Sequence, residues 1–556
     1  MEEPLENLFD EMPKGQGGLP LKLSGTRTEG HAIGVLCAAS LYVQEIFREG
    51  KNWTKGQVLS QMDALYDIVV TINNYLSNYV LLFLLVGTGL LFTIRTRGVQ
   101  FRCFAEGIRR VFGGFSLRGG KRAGGLSSFQ ALATAVAAQV GTGNIVGACG
   151  AILLGGPGAI FWMWVIALLG MATNYAEAVL AQTTRQIDEE GNVHGGPVYY
   201  IRYAFKGVGG KFLAGFFAVA IILALGFMGC MVQSNSIAST MNTAFGIPTW
   251  IMGAIIVILG GFIFIGGVSR IASVTEKIVP VMALIYIVGG IAVLIANWQN
   301  VGPAFALIFQ CAFNPQAEVG GMTFGLIAAL TQGAKRGLFS NEAGMGSTPH
   351  AHALANVAEP HDQGVVAMIG VFIDTIIVVS VTALVVISVL FVGDGPLAQD
   401  YAAAVAGGID KTNMAQIAFG SLYGEFGGNA FVAICLLLFA FSTIVSWNLF
   451  ARLNVEYLFG KKGVLAFTIV ALAFIFMGSL LSNDLVWELA DMFNQLMVLP
   501  NAIALIALSG IVAKSARAHD GHRKSPEERE EEANIIAAKA AAAVEAEKAR
   551  EVSGLK

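Results

Sequence analysis

Charge is what this 556-residue chain has least of: 13% of its residues are Asp, Glu, Lys or Arg, against 55% hydrophobic ones. Soluble domains carry about 25% charged residues. A chain with half that share cannot cover a soluble surface, which excludes a string of soluble domains. A basic footprint is also missing, since the net charge is −3, and nucleic acid is excluded with it. The cysteines at 37, 103, 149, 230, 311 and 435 show no CxxC or other paired spacing. Most lie in apolar runs and read as buried free thiols. Histidine is absent from the long apolar runs, and no nucleophile, base and orienting group converge, so the chain reads as non-enzymatic. No repeat of solenoid length is present.

Apolar length is what the chain has in abundance. A membrane helix needs about 20 mostly apolar residues, and eleven stretches qualify: 78–95, 127–154, 157–183, 212–238, 248–267, 279–297, 320–346, 364–392, 427–449, 463–481 and 488–513. The fold class expected is an all-α integral membrane protein of a cell membrane. Lys and Arg set its orientation. Arg95, Arg97, Arg102, Arg109, Arg110, Arg118, Lys121 and Arg122 crowd the loop after the first stretch, and every second loop after it is basic as well. Lys411 is the lone basic residue of the opposite loops. The N-terminus is therefore expected outside and the C-terminus in the cytoplasm. Three segments follow: a transmembrane domain over 62–515, a charged cytoplasmic tail over 516–556, and an extension over 1–61. The extension has no spanning run and no signal-peptide pattern. It is expected to be disordered or non-native, with Met62 as the natural start.

Two stretches are poor helices at their centres. The second reads SSFQALATAVAAQVGTGNIVGACGAILLGG, with Gly141-Thr142-Gly143-Asn144 in the middle. Glycine inside a helix costs about 1 kcal/mol relative to Ala, and backbone freed at that depth is tolerated only where protein or a cavity surrounds it. Gly141-x-Gly143-x-x-Gly147 also matches the dinucleotide fingerprint, but no strand precedes it and no acid follows at the required distance. The seventh stretch, GMTFGLIAALTQGAKRGLFSNEAGMGS, is expected to break at Gly333, Gly337, Gly344 and Gly346. These two stretches are five apart and of opposite direction. One extra N-terminal helix followed by a 5+5 inverted repeat is thus expected, with a transport site where the breaks meet.

Three motifs, Gly141–Gly147 (GTGNIVG), Gly155–Gly170 (GGPGAIFWMWVIALLG) and Lys335–His352 (KRGLFSNEAGMGSTPHAH), resemble those of the alanine/glycine:cation symporter family, the sodium:alanine symporters. The resemblance covers about 62–515 and neither tail. It implies sodium-coupled uptake of alanine or glycine by alternating access, on the fold shared by amino-acid and neurotransmitter sodium symporters. Sodium would be a co-transported ion, with no cofactor, and a monomer suffices.

A zwitterion needs its carboxylate and ammonium satisfied away from water. The half-helix starting at Gly143 and Asn144 offers amides and a positive dipole end to the carboxylate. Carbonyls near Gln139 and Val140 can accept the ammonium and sodium, a division the resemblance also implies. The resemblance further implies a sodium site from Ser442 and Thr443 with the carbonyls of Ala137 and Val140. Without it, Ser442 and Thr443 read equally as hydroxyls bonded back to their own helix. Gln139, Gln233, Ser340 and Asn341 are polar groups in apolar runs, either lining the site or joining helices. Thr142 sits within the break, and Trp447 is placed to cap the pocket or to pack. Glu177, Asp374 and Glu342 are acids at membrane depth and so candidates for a cation pathway. Glu342 is alternatively an ion-pair partner of Lys335 and Arg336. Coupling to protons instead of sodium stays open. His350, His352 and His361 suggest a metal, but no cysteine neighbours them in sequence and their loop is expected to be exposed.

Overall fold

The computed structural model describes residues 66–113, 126–188, 192–314, 317–481 and 483–519, together with residue 538. The extension 1–61 and the tail beyond His519 lie outside the described residues, apart from residue 538, as do Arg118, Lys121 and Arg122 of the first basic loop. The chain divides into two units, 1–68 and 69–556, and the architecture below is that of the second.

The described residues are mostly helical. In chain order the helices used below are α1 (Leu82–Arg95), α2 (Phe104–Gly113), α3 (Ser128–Gln139), α4 (Gly143–Gly155), α5 (Gly158–Thr184), α6 (Gly207–Phe245), α7 (Thr249–Ile265), α8 (Gly267–Ala296), α9 (Leu326–Asn341), α10 (Pro360–Leu390), α11 (Met414–Phe459), α12 (Gly463–Gly478), α13 (Asn483–Ala507) and α14 (Ser509–Ala518). Two short antiparallel hairpins, Gln186–Ile187 with Val193–His194 and Ala317–Val319 with Met322–Phe324, lie in the loops. Among the described residues, six helices are long and apolar enough to cross a membrane. A seventh forms if α3 and α4, bent by 48° at their break, count as one span, and α1, α7 and α12 are shorter apolar helices.

Helix starts are written locally. Ser127 caps α3: its Oγ accepts from the Gln130 amide at 3.1 Å while the Gln130 side chain accepts from the Ser127 amide at 3.0 Å. Glu359 and Asp362 form the same reciprocal cap on α10, with Pro360 in the first turn, where its missing N–H costs nothing. α5 is the central packing element, lying against α1, α9 and α10, and α11 packs on α3, α6 and α8. Gly333 makes the α5–α9 approach possible, because a Cβ there would sit 2.6 Å from the Ala159 carbonyl oxygen.

That packing corrects one expectation. Gly333 and Gly337 do not break the seventh stretch; both lie inside α9. The break comes at Glu342, a non-glycine residue with φ 58°, and continues through Gly344 (φ 89°) and Gly346 (φ 79°). The chain leaves the helix on a left-handed turn and re-forms a short helix at Pro349–Ala353.

The ion pair expected for Glu342 is also elsewhere. Lys335 Nζ lies 2.8 Å and Arg336 Nη1 3.2 Å from Asp491 Oδ2 on α13. The Arg336 guanidinium also covers the Trp487 ring at 4.7 Å. α13 runs beside this part of α9, whereas Glu342 has turned away into the break. Removing one partner of a buried pair leaves the other charge uncompensated, at a cost of about 3–5 kcal/mol. Asp491→Asn removes the carboxylate that pairs with Arg336 and leaves Lys335 the more distant Glu488, at 3.7 Å, and should lower stability by about 3–5 kcal/mol, seen as a fall in the thermal unfolding midpoint of the purified protein in detergent. An unchanged midpoint would show that the pairing contributes nothing.

Candidate functional site

The first break ends α3 at Val140, whose ψ of 88° is far from helical. Two freed amides find side chains: Gly141 N–H donates to Asn144 Oδ1 at 2.9 Å and Thr142 N–H to Gln233 Oε1 at 3.1 Å. Gly141 has to be glycine for a steric reason, since a Cβ would lie 2.5 Å from Thr443 Oγ1 and 3.1 Å from Gln233 Oε1. Thr443 on α11 reaches across to the same break. Its hydroxyl is 2.8 Å from the Ala137 carbonyl, 3.4 Å from that of Val140 and 3.1 Å from that of Phe439 in its own helix. Ser442 points differently, donating to the Phe439 carbonyl at 2.8 Å with Met282 Sδ at 3.5 Å.

Asp374 on α10 connects the two breaks. Its Oδ1 accepts from Asn144 Nδ2 at 2.5 Å, and its Oδ2 from Ser340 Oγ at 2.9 Å and Thr375 Oγ1 at 2.7 Å. Asn341 caps the end of α9: its Oδ1 accepts from the Ala343 amide at 3.1 Å and its Nδ2 faces Thr375 Oγ1 at 3.2 Å, while Gln139 Nε2 donates to its carbonyl at 2.7 Å. Glu342 takes Trp447 Nε1–H on Oε1 at 2.6 Å and the Ser347 hydroxyl on Oε2. The Trp447 ring meets Phe339 edge-on at 5.9 Å.

Glu177 on α5 supports the far side of the second break. Its oxygens accept from Gly344 N–H at 3.1 Å, Gly346 N–H at 2.9 Å and Asn501 Nδ2 at 2.7 Å. Asn501 in turn accepts from the Tyr200 hydroxyl. Glu177 thus serves as the partner of freed backbone.

Gln139, Thr142, Gly143, Asn144, Gln233, Ser340, Asn341, Thr443 and Trp447 therefore gather around the two breaks, all of them buried. Gln139 Oε1, Thr142 Oγ1 and Ser446 Oγ are buried with no hydrogen-bond partner. Unpaired buried groups are costly unless something else satisfies them, so a polar ligand that reached these oxygens would satisfy them. Tyr200, Thr375 and Asn501 are not candidates from the sequence, and Asp491 is an acid of uncertain depth that the sequence leaves without a role. Asn501 carried the clearest signal, an amide alone in an apolar run beside Pro500.

The histidine loop is buried, contrary to expectation: His350 is 1% exposed, and His352 and His361 are 0% exposed. His350 is held by the Ser347 carbonyl and Asn454, and His352 by Gln363, so the first two bind to neighbours within the fold.

Residues 62–533 match the model of the Sodium:alanine symporter family. The chain is 39% identical over 459 residues to the sodium/alanine symporter AgcS of Methanococcus maripaludis, covering 82% of this chain and 98% of that protein. It is 39% identical over 454 residues to a putative sodium/proton-dependent alanine carrier protein, YrbD, of Bacillus subtilis, covering 80% and 90%. Its fold is similar to that of solved MhsT in complex with L-phenylalanine, with a TM-score of 0.50 at 13% identity over 77% of this chain and 99% of that one.

Glu177→Gln exchanges one accepting oxygen for an amide N–H that faces a backbone N–H or Asn501. It should cost about 1–3 kcal/mol, read as a lowered unfolding midpoint. An unaltered midpoint would show that the break holds its shape without the carboxylate.

Proposed function

The chain belongs to the sodium:alanine symporter family, and on that premise we propose that it takes up small neutral amino acids, alanine and glycine, with sodium by alternating access. At the coarser level it is a cation-coupled amino-acid symporter, a multi-pass membrane protein and not an enzyme. We read α1, α7, α9 and α12 as spans alongside the seven longer ones. That gives eleven, with the N-terminus outside and the C-terminus in the cytoplasm.

The observation that carries the sodium assignment is Thr443, whose hydroxyl oxygen sits over the Ala137 and Val140 carbonyls at 2.8 and 3.4 Å. Sodium requires several oxygens at one point, and two carbonyls released by the break of α3 plus hydroxyls from α11 provide them. In this assignment Ser442 completes the shell by releasing Phe439. The substrate carboxylate takes the amide end of α4 near Gly143 and Asn144. Its ammonium takes the unpaired oxygens of Gln139 and Thr142. Gln233 and Asn341 hold the two breaks in register, Ser340 holds Asp374, and Trp447 closes the pocket over a small side chain. Asp374, Glu177 and Glu342, where ionised, bring negative charge to the site, which favours entry of a cation. With both ligands bound, one side closes and the other opens, and the sodium gradient drives accumulation.

Proton coupling is a second reading, favoured by one observation: among the described residues none of the three carboxylates has a Lys or Arg partner. Alanine uptake into proteoliposomes distinguishes the two. A sodium gradient should drive accumulation, and a proton gradient without sodium should not. Accumulation on protons alone overturns the sodium reading. Thr443→Ala should raise the sodium concentration for half-maximal uptake by roughly tenfold, as expected when one ion ligand is lost. It should leave alanine affinity at saturating sodium nearly unchanged. An unshifted sodium curve would remove Thr443 from the ion site.

A further inference from the structure

Three histidines near one another in sequence end in different places, and one of them gains a cysteine from another part of the chain. We propose that Cys103, Glu106 and His361 form a binding site for a borderline transition-metal cation of the zinc class. It lies where the first connecting loop packs under the start of α10.

The arrangement has a local origin. Gly107 N–H bonds to the Cys103 carbonyl at 2.9 Å, so the chain is already helical there, and Cys103 and Glu106, three residues apart, share one face. That face is pressed on α10: a Cβ at Gly107 would lie 2.6 Å from the Val365 carbonyl oxygen. His361 stands in the first turn of α10, directly after Pro360. One donor atom from each of the three side chains lies within 4.8 Å of the others. Ligands at about 2.0–2.3 Å from a tetrahedral ion sit roughly 3.5 Å apart. Closing around an ion therefore needs only a side-chain adjustment of about 1 Å, and Glu106, which is 26% exposed, is free to make it.

The second observation is the state of His361. The residue is fully buried, yet its Nε2 has no hydrogen-bond partner, because Glu106 Oε2 stands off at 3.6 Å, beyond hydrogen-bonding distance. The opposite ring nitrogen, Nδ1, is 2.8 Å from the Tyr175 hydroxyl. With Nδ1–H donating to that oxygen, the Nε2 lone pair points into the cluster. This is the outer-shell arrangement that orients metal-binding imidazoles. The His519 ring stacks on His361 at 4.1 Å and 5°, closing the other side. One sulfur, one nitrogen and one carboxylate oxygen suit zinc or a neighbouring first-row ion; magnesium and calcium prefer all-oxygen shells. Arg110 is the competing cation. It holds only Oε1 of Glu106, at 3.0 Å, and its charge is shared with Asp362 at 2.7 Å, which leaves Oε2 for the ion. On binding, the Cys103 thiol gives its proton to water as the sulfur–metal bond forms. Three protein ligands leave a fourth position for water.

Cobalt(II) titration of the purified full-length chain tests this, because a cobalt–thiolate bond produces a near-ultraviolet charge-transfer band that carboxylate or histidine binding does not. The expected result is a band saturating at one cobalt per chain and displaced by zinc. Cys103→Ser should abolish the band and weaken zinc binding by about tenfold or more. Glu106→Gln, a change at a partly exposed side chain, should keep the band while weakening zinc binding. A wild-type chain without the band, a band that persists in Cys103→Ser, or zinc affinity unaltered in Glu106→Gln overturns the site. None of these readouts requires transport, so they stand apart from the test of sodium coupling.

Discussion

Backbone released at depth in a bilayer must find its partners inside the protein, and a connected set of buried polar side chains meets that demand at two places. The first break gives up the amides of Gly141 and Thr142, taken by Asn144 and Gln233. The second gives up Gly344 and Gly346, taken by Glu177. Asp374 then joins the two, holding Asn144 of one break and Ser340 of the other on a single carboxylate. The two breaks are thus joined through this carboxylate and, directly, through the Gln139–Asn341 hydrogen bond, a linkage that the proposed alternating access would use.

The same constraint explains the uneven use of charge. Lys335 and Arg336 have their neutralising partner in Asp491, whereas the carboxylates of Asp374, Glu177 and Glu342 are met by amides, hydroxyls and the Trp447 indole. Neutral donors leave a carboxylate's charge uncancelled, so each of the three that is ionised favours a cation nearby. A zwitterion supplies no net charge to offset it, whereas a cation or a proton does, and in the proposed function that difference favours binding the amino acid together with a cation.

What could be read from the sequence divides by the range of the interaction. The first break was legible because Gly-Thr-Gly-Asn in an apolar run violates helix propensity within four residues. Seven of the eleven apolar stretches correspond to the six long apolar helices and the bent α3–α4 pair, whereas α1, α7, α9 and α12 fall short of a full span by length. Of the four glycines expected to make the second break, Gly344 and Gly346 lie in it and Gly333 and Gly337 do not. Composition cannot tell a glycine that breaks a helix from one, such as Gly333, where a Cβ would clash with a neighbouring helix. A left-handed Glu342 contradicts propensity outright and is held by tertiary contacts with Trp447 and Ser347. Asp491, Asn501 and the meeting of Cys103 with His361 depend on helices far apart in sequence, where one chain without tertiary information carries no pairing signal. The spacing of the first two histidines of the buried loop suggests a metal, a reading set aside in the sequence for want of a neighbouring cysteine, and in the fold each is held by its neighbours.

Ser442 and Thr443 show how adjacent residues divide between the two readings of a hydroxyl pair. Neighbours on a helix point about 100° apart, so with α11 in this orientation Thr443 faces α3 while Ser442 faces α8 through Met282. A site using both hydroxyls requires Ser442 to let go of the Phe439 carbonyl and change rotamer. The bond lost is one neutral hydrogen bond, worth about 1 kcal/mol net. An oxygen–sodium contact in its place is charge-assisted and stronger. In the proposed sodium site this rearrangement is unfavourable before the ion arrives and favourable after it. Ion binding there would drive a local change in α11 next to Trp447, the residue that touches Glu342 in the second break, and so link the cation to the part of the site that closes in the proposed cycle.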